Sequence, residues 1–224
     1  MRAAVFLNGS PDPPDLLRRV AGRAEMVIAA DGGAVHALAA GVVPDLVVGD
    51  MDSLGDEGAR RVESRGALLE RHPVKKDKMD GHLAVAAAGE MGAAVLDLAC
   101  ATGGRTDALF AVPHLLLAAE RAGMRATVVA GWGGMFVVEN GSRVVEGKPG
   151  ESVSVFPVSG SARGVTLEGF EYPLVDATLE AGDTLGFHNE LAGRGALVSV
   201  GEGVLLVIHE VGSADSRRKS GGGP

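Results

Sequence analysis

Met26-Val27-Ile28-Ala29-Ala30-Asp31-Gly32-Gly33 sets five apolar residues directly against an acid and two glycines. An apolar run of that length, without polar alternation, marks a parallel strand buried on both faces. The turn that ends it then lies at the carboxyl end of the strand, where open α/β sheets bind their ligands. The pattern repeats outward in both directions. Residues 3–7, 46–48, 67–69, 93–99 and 126–129 have strand character, and 15–21, 34–40, 56–64, 80–91 and 107–122 have helical character. Alternating β and α elements predict an α/β domain whose parallel sheet is covered by helices on both sides.

Past Trp132-Gly133-Gly134 the helical periodicity stops. Short runs at 135–138, 152–156, 164–167, 196–200 and 204–208 follow, separated by turn residues. They predict a small antiparallel β domain, a sandwich or a barrel. The expected organisation is an α/β domain over 1–133, a β domain over 134–212 and a disordered Ser/Gly-rich tail over 213–224.

The 224 residues carry a net charge of −8 and no basic stripe, so a nucleic-acid partner is not expected. The single cysteine, Cys100, excludes an internal disulfide and sits in an apolar run, where it reads as a small core residue. The apolar stretch at 3–7 is too short for a signal peptide's apolar region, and no run approaches the ~20 residues of a membrane span. A cytoplasmic protein with no membrane partner is expected.

Three acidic stretches carry the chemistry: Gly49-Asp50-Met51-Asp52-Ser53, Lys76-Asp77-Lys78-Met79-Asp80 and Gly103-Gly104-Arg105-Thr106-Asp107. The first and third, like Asp31-Gly32-Gly33, directly follow strand-like runs, so these turns should crowd one sheet edge. Asp50 and Asp52, two apart in extended geometry, should point the same way and suit Mg²⁺, which takes carboxylate and phosphate oxygens. A turn with Asx hydrogen bonds is the alternative. Asp77 and Asp80, three apart at a helix start, should share a face; a simple N-cap at Asp80 is the alternative. Lys76 and Lys78 are unfavourable at a helix N-terminus unless they serve an anion. Gly103 and Gly104 offer backbone amides to a phosphate and Arg105 a bidentate fork. No Walker A or dinucleotide-loop pattern occurs. The histidines show no metal-binding spacing, and His188-Asn189-Glu190 on its own reads as a turn.

Taken in order, these stretches resemble the thiamine pyrophosphokinase family. The similarity rests on Ala30-Asp31-Gly32-Gly33-Ala34, Pro44-Asp45, Gly49-Asp50-Met51-Asp52-Ser53, Lys76-Asp77 with Asp80, and Gly103-Gly104-Arg105 with Asp107. Gly169-Phe170-Glu171-Tyr172-Pro173-Leu174, Asn189-Glu190 and Gly203-Val204-Leu205-Leu206-Val207-Ile208 extend it through the second half.

The resemblance implies a Rossmann-like N-terminal domain, a C-terminal β-sandwich and a homodimer with active sites between subunits. It implies ATP and thiamine as substrates, Mg²⁺ as cofactor, and thiamine diphosphate and AMP as products. By position, Asp50, Asp52 and Asp80 become metal ligands, with Asp77 beside them. Asp31, Gly32, Gly33, Lys76, Gly103, Gly104 and Arg105 become the ATP and phosphate set, and Asp107 supports it. Tyr172, His188 and Asn189 fall on the thiamine side. Either Asp80 or Asp107 can take the alcohol proton. The sequence departs from the family where Met79, Ala108 and His188 stand for the usual Thr, His and Ser. Those departures keep two alternatives open: another alcohol acceptor, such as a hydroxymethyl-pterin, or a binding protein without turnover.

Overall fold

The computed structural model describes residues 1–75, 77–158 and 160–212. Lys76 and the tail over 213–224, both given roles above, lie outside the described residues. The chain divides into two compact units, Met1–Gly131 and Trp132 onward.

The first unit is a parallel sheet. Its strands are β1 (Arg2–Phe6), β2 (Met26–Ala30), β3 (Leu46–Gly49), β4 (Leu68–Arg71), β5 (Val95–Ala99) and β6 (Arg125–Ala130). Their lateral order is β6-β5-β1-β2-β3-β4, with every pairing parallel. Five helices connect them: α1 (Pro14–Arg23), α2 (Gly33–Ala39), α3 (Gly55–Glu63), α4 (Asp80–Glu90) and α5 (Thr106–Arg121). Strand residues on one face, including Ala4, Phe6, Val27, Ala29 and Val47, pack with Leu17 and Val20 of α1, Ala34 and Ala37 of α2, and Ala59 and Val62 of α3. Helices α4 and α5 pack on one another, with α4 against β1–β3 and α5 against β6. Burial on both faces is why residues 3–7, 26–30 and 46–48 read as unbroken apolar runs, whereas β5 carries one buried charge, Asp97, paired with Arg2 at 2.7 Å.

Two local expectations are corrected here. β4 is the edge strand: Leu68 is exposed and Leu69 only partly covered, so its leucines do not mark a doubly buried strand. Asp77 precedes α4 and is exposed, so it shares no helix face with Asp80. Met79 holds the N-cap position of α4 and Asp80 its first turn.

The chain lays down β1 to β4 in one lateral direction, then returns to the other side of β1 with β5 and β6. The crevice between the loops after β1 and β5 is therefore the topological switch point, where connections leave in opposite directions and open a cleft. Asp45, at the amino end of β3, is structural. Its carboxylate accepts a hydrogen bond from Val27 N at 2.7 Å and ties β2 to β3 far from that edge.

The second unit is a sandwich of antiparallel strands. One layer runs β12 (Asn189–Glu190), β9 (Ser152–Pro157), β14 (Val204–Glu210), β7 (Gly133–Glu139); the other runs β11 (Leu174–Leu179), β10 (Ala162–Glu168), β13 (Gly195–Ser199), β8 (Ser142–Glu146). Val138, Val153, Val155, Val165, Leu167, Val198, Leu205 and Val207 meet in its core. β8 and β11 were not expected as strands. Both are edge strands of their sheet, and their exposed residues, Val144 and Val175 among them, break the inward apolar signal. Of the 188–190 segment only His188 lies in the expected turn; Asn189 and Glu190 pair with Val153 and Ser152.

Candidate active site

Three strand ends in the first unit carry residues held at positive φ without being glycine: Asp31 after β2 (φ 43°), Met51 after β3 (φ 66°) and Cys100 after β5 (φ 53°). Left-handed backbone costs an ordinary residue about 1 kcal/mol or more, and such strain collects where a site over-determines the chain. Here it turns three loops toward one another.

Asp31, Asp50 and Asp52 meet in that space, with one carboxylate oxygen of each within 4.8 Å of the others. The sequence placed Asp31 with the phosphate-binding residues; the fold brings it to the other two acids. Asp50 and Asp52 converge by a different route from the extended geometry expected for them. Met51 reverses the chain between them, and Asp52 N donates to Asp50 Oδ1 at 3.2 Å. The Asx turn and the carboxylate pair, posed as alternatives, are the same structure. Asp80 arrives from α4: a Cβ on Gly49 would fall 2.9 Å from Asp31 Cβ and 3.0 Å from Asp80 Oδ1. Gly49, at φ 151°, therefore leaves the room in which both acids stand.

Asp31 is the buried member, 4% exposed. Burial raises its carboxyl pKa above the ordinary value, against the hydrogen bonds from Ser53 and Gly32. Its Oδ2 accepts from Ser53 N at 3.3 Å, whereas Oδ1 has no hydrogen-bond partner among the described residues. A buried carboxylate oxygen without a donor is costly, and a hard cation between three carboxylates would satisfy it. The donor set is all oxygen, which fits Mg²⁺ or a similar ion and not a soft metal.

A cavity of about 480 Å³ opens beside the acids at the switch point. Leu7, Asn8 and Gly9 after β1, Asp31 after β2, Met79 and Asp80 at α4, and Gly103, Arg105 and Asp107 after β5 form its polar and mixed walls. Ala108, Ala111, Val112 and Leu115 of α5 form an apolar side. The loops after β1 and β5 are zipped: Gly9 N donates to Cys100 O and Ser10 N to Thr102 O, each at 2.9 Å. Asp12 braces the junction, accepting from Cys100 N at 2.8 Å and from Gly131 N at 3.1 Å. Gly9 cannot carry a side chain there, since a Cβ would lie 2.4 Å from Cys100 O. Burial pushes the Cys100 thiol up to about 11, so it is no nucleophile at neutral pH.

Arg105 caps α5 and forms a fork with Asp107, Nε to Oδ1 at 3.0 Å and Nη2 to Oδ2 at 2.6 Å. Arg105 holds the Asp107 carboxyl down at about 2. Gly103 and Gly104 both adopt positive φ, 75° and 69°, to bring the loop round to that helix. Gly32 caps α2, and Gly33 packs on β1 so closely that a Cβ would lie 2.0 Å from Phe6 O. Asp77 and Lys78 are exposed in the loop before α4. His36 contacts Gly9 O at 2.9 Å and His72 contacts Glu70 at 2.7 Å, both satisfied roles.

In the second unit, Asn189 is buried and its amide is used internally. Oδ1 accepts from Tyr172 N at 3.0 Å and from Glu190 N at 2.9 Å, while Nδ2 donates to Tyr172 O at 2.7 Å. It grips the Tyr172 backbone as a neighbouring strand would and leaves the Tyr172 ring exposed. His188, at φ 63°, donates its N–H to Ser154 Oγ at 3.1 Å, and its ring lies 5.5 Å from that of Phe187. Phe187, which the sequence did not flag, is 58% exposed.

The thiamin pyrophosphokinase catalytic-domain profile matches residues 17–128, and the vitamin B1 binding-domain profile of the same enzymes matches residues 143–205. The chain belongs to the thiamin pyrophosphokinase family. Within this family, the thiamine pyrophosphokinase of Bacillus subtilis (strain 168) is 29% identical over 182 residues, 81% of this chain and 85% of that protein. The crystal structure of thiamin pyrophosphokinase from Geobacillus thermodenitrificans superposes with a TM-score of 0.82 at 30% identity, covering 96% of this chain and 99% of that one. Yeast thiamin pyrophosphokinase shares the fold, with a TM-score of 0.76 at 12% identity over 93% of this chain and 86% of its own. Among the described residues no helix is long and apolar enough to cross a membrane.

Proposed function

We propose that this protein transfers a pyrophosphoryl group from ATP to the hydroxyethyl arm of thiamine, giving thiamine diphosphate and AMP. The observation that carries this is the cavity at the switch point, lined by Asp31, Asp80, Arg105 and Asp107, with Asp50 and Asp52 grouped with Asp31 beside it, in a chain whose two halves match the two domains of one family.

Asp31, Asp50 and Asp52 would hold the divalent cation, and Mg²⁺ is the ion we assign. When bound, it supplies positive charge to the phosphate oxygens that bear the developing charge of the reaction. The chain's own residues position the reactants. With its Nε and Nη2 on Asp107, Arg105 has its other edge, Nη1 and the second Nη2 hydrogen, to offer phosphate oxygens as a pair of donors. The glycines of the 103–104 turn let the triphosphate approach the backbone. Gly32 and Gly33, enclosed by Asn8 and Phe6, serve instead to seat α2 against β1.

The alcohol must lose a proton as it attacks phosphorus. With its pKa held at about 2 by Arg105, Asp107 is a weak base. Asp80, on the cavity wall beside the acidic group, is the acceptor we assign, and Asp107 orients Arg105. In the second unit, the exposed rings of Phe187 and His188 lie side by side and, with the exposed Tyr172 ring, are suited to stacking a flat heterocycle. Asn189 acts there through the Tyr172 backbone it holds. Val175, Leu185 and Phe187 are exposed on the same unit, and with the family resemblance they support assembly of two copies. ATP as donor supports a cytoplasmic setting.

Incubation with ATP, Mg²⁺ and thiamine should release AMP only when thiamine is present. Equal AMP release without thiamine, or turnover of a hydroxymethyl-pterin with thiamine inert, overturns the assignment. Asp52→Asn should abolish release while the circular dichroism spectrum persists.

A further inference from the structure

Ser53 stands between two carboxylates of the acidic group and is used by both. Its backbone N–H donates to Asp31 Oδ2 at 3.3 Å, and its hydroxyl donates to Asp52 Oδ1 at 3.1 Å. The hydroxyl oxygen in turn accepts from Asn8 Nδ2 at 3.3 Å. Asn8 follows β1, Asp31 follows β2 and Ser53 follows β3, three adjacent strands. The Asn8 side chain also lies directly over Gly32, where a Cβ would come within 2.4 Å of it. One amide and one hydroxyl therefore link three loops.

We propose that Ser53 is a positioning residue for the divalent cation, and that Asn8 acts by fixing the Ser53 hydroxyl. This rests on the metal role given above to Asp31, Asp50 and Asp52. The orphaned Oδ1 of Asp31, on a side chain 4% exposed, marks the place where the ligand belongs. A hydroxyl has one hydrogen. With Asn8 donating to its oxygen, the Ser53 proton is left for the carboxylates, Asp52 Oδ1 at 3.1 Å and the Asp31 side chain beside it, and the exposed Asp52 gains a fixed partner. Partners of this kind set the orientation of a ligating carboxylate and typically matter 10–100-fold in metal affinity.

The test is Mn²⁺ binding to the nucleotide-free protein, read by electron paramagnetic resonance of the free ion. Ser53→Ala keeps the backbone N–H to Asp31 and removes only the hydroxyl link; it should weaken Mn²⁺ binding about 10-fold. Ser53→Thr keeps the hydroxyl and should stay within about 2-fold of the parent. Asn8→Ala should weaken binding about 3-fold in the parent and have no further effect in the Ser53→Ala background, because its action passes through the hydroxyl. Parental affinity in Ser53→Ala, loss of affinity in Ser53→Thr, or an equal effect of Asn8→Ala in both backgrounds overturns the proposal. If thiamine-dependent AMP release stands while Ser53→Ala binds Mn²⁺ normally, the positioning role fails and the function survives. If the parent itself binds no Mn²⁺, the metal role and this proposal fall together.

Discussion

Replacing Asp12 with alanine removes a brace that no chemical motif announces. Its carboxylate accepts hydrogen bonds from Cys100 N and Gly131 N, tying the loop after β1 to the ends of β5 and β6. The two donors differ. Cys100 is fully buried, so water cannot take the place of the lost acceptor; an orphaned buried N–H costs about 1–3 kcal/mol. Gly131 is exposed, and water replaces that bond for about 0–1 kcal/mol. Together they give a loss of about 1–4 kcal/mol, or a fall in Tm of roughly 2–16 °C for a chain of this size. Thermal unfolding followed by far-ultraviolet circular dichroism reads the total. Amide hydrogen exchange of a peptide containing Cys100 reads the local effect, and that amide should lose protection first. Asp12→Asn, which keeps one acceptor oxygen, should recover part of the loss. A change below about 0.5 kcal/mol, the range of ordinary surface substitutions, with Cys100 protection intact, would refute the view that this carboxylate holds the loops together.

Gly49→Ala should lower kcat at least about 100-fold, since its Cβ would press on both Asp31 and Asp80 at a backbone angle alanine resists; a kcat within 2-fold of the parent, on the order of measurement scatter, would sink this. Arg105→Ala should raise the Asp107 carboxyl from about 2 toward the ordinary 3.8, and a carbon-13 titration that stays put would contradict the pairing. Glu151 is held below its ordinary value of 4.5: burial opposes ionisation, but hydrogen bonds from Lys148 N, His209 and Gly212 N together outweigh it. A carboxyl depressed in the folded state contributes stability above 4.5 that is lost as pH falls through the folded value. Urea unfolding from pH 6 to pH 3 should therefore show a smaller acid loss in Glu151→Gln than in the parent, and identical slopes would contradict it.

The parallel sheet was legible because burial on both faces leaves an unbroken apolar run, as in Met26 to Ala30 and Leu46 to Val48. The β-sandwich was legible at its inner strands and not at β8 and β11, edge strands whose exposed Val144 and Val175 blur the alternation. Placing polar turns at strand ends was enough to put Asp31, Asp50, Asp52 and Arg105 on one edge. The same rule applied to Asn8, after β1, would have found a further residue of the site.

Chain order and local pattern decided which loops share an edge, since strand direction and period are local properties of the backbone. Which acids meet was decided in three dimensions. Asp31 joins Asp50 and Asp52 because left-handed turns at Asp31 and Met51 aim the loops inward, and because Gly49 leaves the space. Asn189 grips Tyr172 across 17 residues, and Asp12 reaches Cys100 across 88. Contacts at such separations leave no periodicity in the sequence, because each depends on where the sheet sets its partner down.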